Sequence, residues 1–263
     1  MIAAVFQPGL LKNRVALITG GGTGICRGIA LALAAHGCDV AITSRRREHL
    51  EPTLAELRAT GRRAIAEAAD VRDPAAVERV IAAAIAGLER LDILVNGAAG
   101  NFVCLAEQLS PNGFGAVVDI DLKGTFHVSR AALPHLKARG GSILNISATL
   151  PYLGTIGQSH AAAAKAGIDS LTRTLACEWG PYGVRVNGIA PGPIEGTEGV
   201  RRLTTEQSRD SAVRGCPLGR LGTIDDVANA ALFLCSGAAS FVNGVTLVVD
   251  GGLWLRSARI LGE

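Results

Sequence analysis

Aromatic side chains are scarce: 4% of a 263-residue chain in which 48% of the residues are hydrophobic and alanine recurs throughout. That scarcity argues against an aromatic-rich β-sandwich and suits helices packed closely on a sheet. The six cysteines (Cys26, Cys38, Cys104, Cys177, Cys216, Cys235) never approach a C-x-x-C spacing. They read as small apolar residues in a reducing compartment, and no metal ligands are assigned. A formal net charge of +3, scattered along the chain, argues against a nucleic-acid partner. No apolar run is long enough to cross a bilayer, and residues 1–14 lack the apolar core of a signal peptide. The terminus Leu261-Gly262-Glu263 is not a peroxisomal address. The expectation is a soluble, cytoplasmic protein with no membrane partner.

What the chain does have is a strand, a turn and a helix in immediate succession. The branched apolar run Val15-Ala16-Leu17-Ile18 stops at Thr19-Gly20-Gly21-Gly22-Thr23-Gly24-Ile25, and an alanine-rich helical pattern begins. A backbone without Cβ atoms lets a phosphate approach, and the free N–H groups of the first helical turn point at it. Thr19, Gly20, Gly22, Thr23, Gly24 and Ile25 are therefore assigned to a dinucleotide. A second strand, Asp39–Thr43, ends at Ser44-Arg45-Arg46-Arg47, where an NAD enzyme would carry a carboxylate for the ribose 2′-hydroxyl. A hydroxyl followed by guanidinium groups suits a 2′-phosphate instead. Ser44 and Arg45 are assigned to it, Arg46 and Arg47 to a solvated face, and the cofactor is expected to be NADPH.

Strands then alternate with helices to the end of the chain. The pattern predicts a helix over 48–60, a strand over 63–68, a helix from Asp73-Pro74 to about Glu89 and a strand over 91–96. One long helix over 112–138 follows, then a strand over 142–146, a helix over 159–179 and a strand over 184–190. A helix over 223–236 and a strand over 245–249 complete the series. Such alternation argues one α/β domain spanning 1–263, a doubly wound parallel sheet of Rossmann type with helices on both faces. The polar stretch 195–217 has no clean periodicity, and its length and place read as a substrate lid rather than a linker.

The spacing Thr19-Gly20-x3-Gly24 resembles the T-G-x-x-x-G-x-G loop of the short-chain dehydrogenase/reductase family, with Cys26 standing where that pattern has its last glycine. Asn96-Gly97-Ala98-Ala99-Gly100 resembles the family's N-N-A-G loop, with Gly97 and Ala99 departing from it. The likeness runs from about Asn13 to Gly252 with its motifs in order. It implies that Asp70 and Val71 meet the adenine, that Asn96 and Ala98 lie along the ribose, and that Pro191, Gly192 and Ile194 form the loop under the nicotinamide carboxamide. It also implies a homotetramer built through the helix that bears Lys165.

Members of that family carry Asn, Ser, Tyr and Lys, the last two spaced Y-x-x-x-K, and the tyrosine moves the proton of an alcohol. Here Lys165 is kept, while Ala161 stands in the tyrosine's place, Ala148 in the serine's and Asp121 in the asparagine's. A carbonyl reductase would lack its proton donor. Either the chain is a nucleotide-binding module without turnover, or it protonates carbon through a water held by Asp121 and Lys165. Asn101-Phe102, Asp119-Ile120-Asp121, Ala148-Thr149-Leu150, His160-Ala161, Trp179-Gly180-Pro181 and the run from Ala190 to Gly199 together look like the 2,4-dienoyl-CoA reductases of peroxisomal type. That likeness implies an acyl-CoA substrate, Asp121 and Lys165 as the catalytic pair, and Asn101, Phe102 and Thr149 near the acyl thioester. Arg201 and Arg202 are candidates for the CoA phosphates. Another enoyl thioester, a 3-oxoacyl thioester and an acyl-carrier-protein substrate remain open at this point.

Overall fold

The computed structural model describes residues 5–203 and 205–255. The terminus 261–263 and residue 204 of the expected lid lie outside the described residues. Among the described residues, seven strands, β1 (Val15–Thr19), β2 (Asp39–Ser44), β3 (Ala64–Ala68), β4 (Ile93–Asn96), β5 (Ser142–Ile146), β6 (Arg185–Pro191) and β7 (Thr246–Val249), form one sheet in the order β3-β2-β1-β4-β5-β6-β7. Every pairing in it is parallel. The doubly wound parallel architecture read from the sequence is the one observed.

Alternation along each strand divides the core into two layers. Ala16 and Ile18 of β1 face α1 (Gly24–Ala35), α2 (Glu51–Ala59) and α9 (Ile224–Cys235). Val15 and Leu17 face the opposite way, onto α3 (Pro74–Leu88), α5 (Gly124–Lys137) and α6 (Ser159–Trp179). Helix starts follow local chemistry. The Asp73 carboxylate accepts from Ala75 N at 2.9 Å ahead of Pro74, and Thr223 and Asp226 form a reciprocal cap on α9. Because every pairing is parallel, the strands' carboxyl ends share one edge. There the chain turns one way from β1 to β2 and the other way to β4, and the crevice between β1 and β4 is the place where such sheets bind ligands.

Three expectations change. The helix expected over 48–60 is a short 3-10 turn at Arg47–His49 followed by α2, because Pro52 has no N–H to donate and settles into the first turn. The long helix expected over 112–138 is α4 (Pro111–Val118), a π-helical turn at Asp119–Lys123, and then α5. The stretch 195–217, which shows no clean period, contains α7 (Glu198–Leu203) and α8 (Glu206–Gly215). Both helices lack a buried face, so an apolar period has nothing to mark.

Candidate active site

The crevice opens into a cleft of about 620 Å³ along the carboxyl ends of the strands. Its floor is the turn after β1. Gly20 adopts φ +69° and Gly24 φ +55°, and a Cβ on Gly20 would stand 2.8 Å from Gly97 O. Thr19 Oγ1 accepts from Gly97 N at 3.0 Å and Ala98 N at 3.1 Å, so the two loops at the switch point are joined. The Thr23 hydroxyl makes no capping bond to α1, whose first residues Gly24, Ile25 and Cys26 line the cleft. That leaves backbone donors of a helix N-terminus available to a pyrophosphate.

The end of β2 supplies positive charge. Ser44, Arg45, Arg46 and His49 line the cleft, and the Ser44 hydroxyl donates to Arg46 O at 3.0 Å. Thr43 Oγ1 is buried there without a hydrogen-bond partner. Asp70 and Val71 close this end of the cleft; hydrogen bonds from Arg72 hold the Asp70 carboxyl below the usual carboxylate range. Gly22 stands behind this wall, where a Cβ would come within 2.4 Å of His49 O.

At the other end the π-helical turn carries Asp121 inward. Its side chain is buried, 1% exposed, and Oδ1 accepts from Gly100 N at 2.8 Å. Oδ2 lies 3.2 Å from the Nζ of Lys165, which is 8% exposed and donates to Ile146 O at 2.9 Å. The extra residue of a π turn re-aims one side chain without breaking the helix, a device frequent at functional sites. Lys165 lines the cleft beside Ser147, whose buried hydroxyl has no hydrogen-bond partner. Ala161 is buried one turn before Lys165 against Val117 and Ala164, so no phenol or other proton donor stands at that position.

The remaining assigned residues divide. Ala98, Asn101 and Arg202 line the cleft. Asn96 lies below it, its amide donating to Ser129 Oγ and Asn145 Oδ1 at 2.9 Å each. The Phe102 ring is half-exposed and packs on His160 with centroids 4.4 Å apart. Thr149 and Ile194 are buried outside the cleft lining, and a Cβ on Gly192 would meet Asp250 Cβ at 2.5 Å. Arg201 faces an adjoining hollow with Glu195, Thr205 and Arg209, and both Arg201 and Arg202 pair with Glu198. Thr197, Glu198 and Gly199 bring the 195–217 segment to the cleft's edge. His49, Ser147, Thr197 and Glu198 also line the cleft, and of these the sequence reading gives no individual role to His49, Thr197 and Glu198. Ser147 follows β5 directly and could be found as a strand-end residue, whereas the others reach the cleft only through the fold.

A family model described as enoyl-(acyl carrier protein) reductase matches residues 20–254. A peroxisomal 2,4-dienoyl-CoA reductase of Arabidopsis thaliana, (3E)-enoyl-CoA-producing, is 47% identical over 97% of this chain and 89% of its own length. Its counterpart from Danio rerio is 48% identical over 98% and 88%. Among solved structures, a gluconate 5-dehydrogenase from Burkholderia cenocepacia in complex with NADP and tartrate superposes with a TM-score of 0.87 at 35% identity, covering 92% of this chain and 96% of its own. The peroxisomal relatives overturn the expectation of a plain cytoplasmic protein. That no helix among the described residues is long and apolar enough to cross a membrane carries no physical preference between one aqueous compartment and another. With a parallel sheet, a glycine turn at its switch point and relatives that match from end to end, this chain belongs to the short-chain dehydrogenase/reductase family of oxidoreductases.

Proposed function

We propose that the enzyme reduces a 2,4-dienoyl-CoA to a 3-enoyl-CoA with NADPH, acting as a homotetramer whose 195–217 segment covers the acyl thioester. The observation that carries this reading is the buried Asp121–Lys165 pair, whose lysine lines the cleft, with alanine at 161. The names of the relatives agree with it. The cleft suits a dinucleotide: Gly20 lets its turn pack against the Gly97 backbone at the cleft floor, where a side chain would strike the Gly97 carbonyl, and two buried hydroxyls, Thr43 and Ser147, are unpartnered within the cleft. Residues 20–25 would hold the pyrophosphate, Ser44 and Arg45 the 2′-phosphate, Asp70 and Val71 the adenine, and Ala98 and Lys165 the ribose. Pro191, Gly192 and Ile194 would support the carboxamide.

Bound there, the nicotinamide supplies the hydride that adds at C5 of the conjugated thioester. Charge collects on the thioester oxygen as a dienolate, and the product forms when C2 takes a proton. Ala161 has none to give. Asp121 and Lys165 pair directly at 3.2 Å, and the ammonium N–H not given to Asp121 or to Ile146 O can hold a water beside the pair that protonates C2. The Lys165 ammonium stabilises the hydroxide left behind until solvent returns a proton to it. The sum is one hydride and one proton added to one diene.

NADPH oxidation measured with a 2,4-dienoyl-CoA, a 2-enoyl-CoA and a 3-ketoacyl-CoA in parallel tests the reading. The dienoyl substrate should be consumed, with deuterium from labelled NADPH at C5 and deuterium from D2O at C2. NADPH should bind ahead of NADH, and Arg45→Ala should narrow the gap. Turnover of the 3-ketoacyl substrate alone, or binding without turnover of any conjugated thioester, would overturn it.

A further inference from the structure

The chain departs from its family's glycine pattern at Cys26 and from the N-N-A-G loop at Gly97, positions 71 residues apart in sequence. The two meet in space. A Cβ built on Gly97 would lie 2.0 Å from Cys26 Sγ, far inside van der Waals contact. The other neighbours are less severe: Thr19 O at 3.2 Å and Ile146 Cγ1 at 3.4 Å. Gly97 is not among the residues with positive φ, so its backbone would accept a side chain. The thiol is what forbids one.

We infer that Cys26 and Gly97 are a size-exchanged pair, in which the Cys26 thiol fills the volume a side chain at position 97 would take and so positions the bound dinucleotide. Both residues line the nucleotide cleft. Ile146 borders Gly97 and its carbonyl accepts from Lys165, so the surroundings of the Cys26–Gly97 pair connect to the catalytic lysine through one residue. Burial pushes the Cys26 thiol up to about 12, with Lys165 pulling weakly the other way, and it remains a neutral group. At 5% exposure it acts through volume and not as a nucleophile. The inference needs only the dinucleotide fold and is independent of the acyl substrate.

A four-member cycle tests it: the parent, Cys26→Gly, Gly97→Cys and the exchanged double variant. NADPH affinity is read by fluorescence titration and Tm with and without nucleotide. Gly97→Cys should weaken binding by about tenfold, Cys26→Gly by a few fold, and the exchange should recover most of the loss, as expected of touching side chains. Were Gly97→Cys too unstable to purify, Gly97→Ala takes its place, alone and with Cys26→Gly. Parent-like binding by the Gly97 variant would overturn the inference, as would a double variant whose loss equals the product of the two single losses.

Discussion

At the scale of single residues, three substitutions set this site apart from an alcohol-oxidising one: alanine for the family's tyrosine, alanine for its serine and aspartate for its asparagine. Asp121 does two things at once, accepting from Gly100 N and pairing with Lys165. Asp121→Asn keeps a carbonyl for Gly100 but leaves the lysine charge buried beside an amide. Turnover of the dienoyl substrate should fall by about a hundredfold to ten-thousandfold. Stability should fall as well, by about 3 kcal/mol, because breaking a buried pair strands its partner. Asp121→Asn/Lys165→Gln, measured by kcat and Tm together, separates the two effects: stability should return and turnover should not. Full kcat in Asp121→Asn would refute the water relay. Ala161→Tyr is expected to lower Tm without raising kcat, since Ala161 is packed against Val117 and Ala164 and a phenol overfills that space by about 1–3 kcal/mol.

At the scale of elements, the π-helical turn at Asp119–Lys123 is the part the site depends on and the part periodicity could not reveal. Its residues keep a helical appearance, and only the changed hydrogen-bond ladder distinguishes them. The start of α9 was legible, through Thr223 and Asp226 spaced as a capping box. Hydrogen bonding to Arg220, the largest influence on Asp226, outweighs desolvation, and with the bonds from Thr223 holds its carboxyl well below the usual range. A carboxyl depressed in the folded state is protonated first in the unfolded one, so stability rises with pH across that window. The contribution is complete above about pH 4 and fades as the pH falls toward the folded value. Asp226→Asn should therefore lower Tm at neutral pH by the equivalent of about 1 kcal/mol, a small effect because the pair is solvent-screened. The gap to the parent should narrow on acidification. A gap unchanged between about pH 7 and pH 2 would show that charge is not what stabilises this cap.

For the whole molecule, the proposed tetramer has a specific locus. The outer face of α6 presents small residues, with Ala163, Ala166 and Ser170 exposed. Phe114 and Phe126 on the neighbouring α4 and α5 are also exposed. Small side chains permit close helix approach, and exposed aromatics gain from being covered. Sedimentation of the parent should give four times the chain mass, and Ala166→Arg should give smaller species. A parent that sediments as one chain would remove the proposal. Because Lys165 sits on the inner face of the same helix, loss of assembly should also lower turnover.

Local order was readable from residue order alone: which segments are strands, that they alternate with helices, and that a glycine turn lies at the first strand's end. Hydrophobic period and glycine's missing Cβ act within a few residues of each other and so leave a mark in the string. The absence of a phenol at position 161 was equally plain. Likeness to the family paired Asp121 with Lys165 through a water; tertiary structure alone decided that the two side chains meet directly at 3.2 Å, through a one-residue irregularity in a helix. It also placed Arg201 and Arg202 in different hollows, buried Asn96 beneath the cleft, and brought Cys26 against Gly97. Those outcomes depend on how layers of side chains fill space between segments far apart in the chain, and close packing is a property of the assembled core that no local pattern carries.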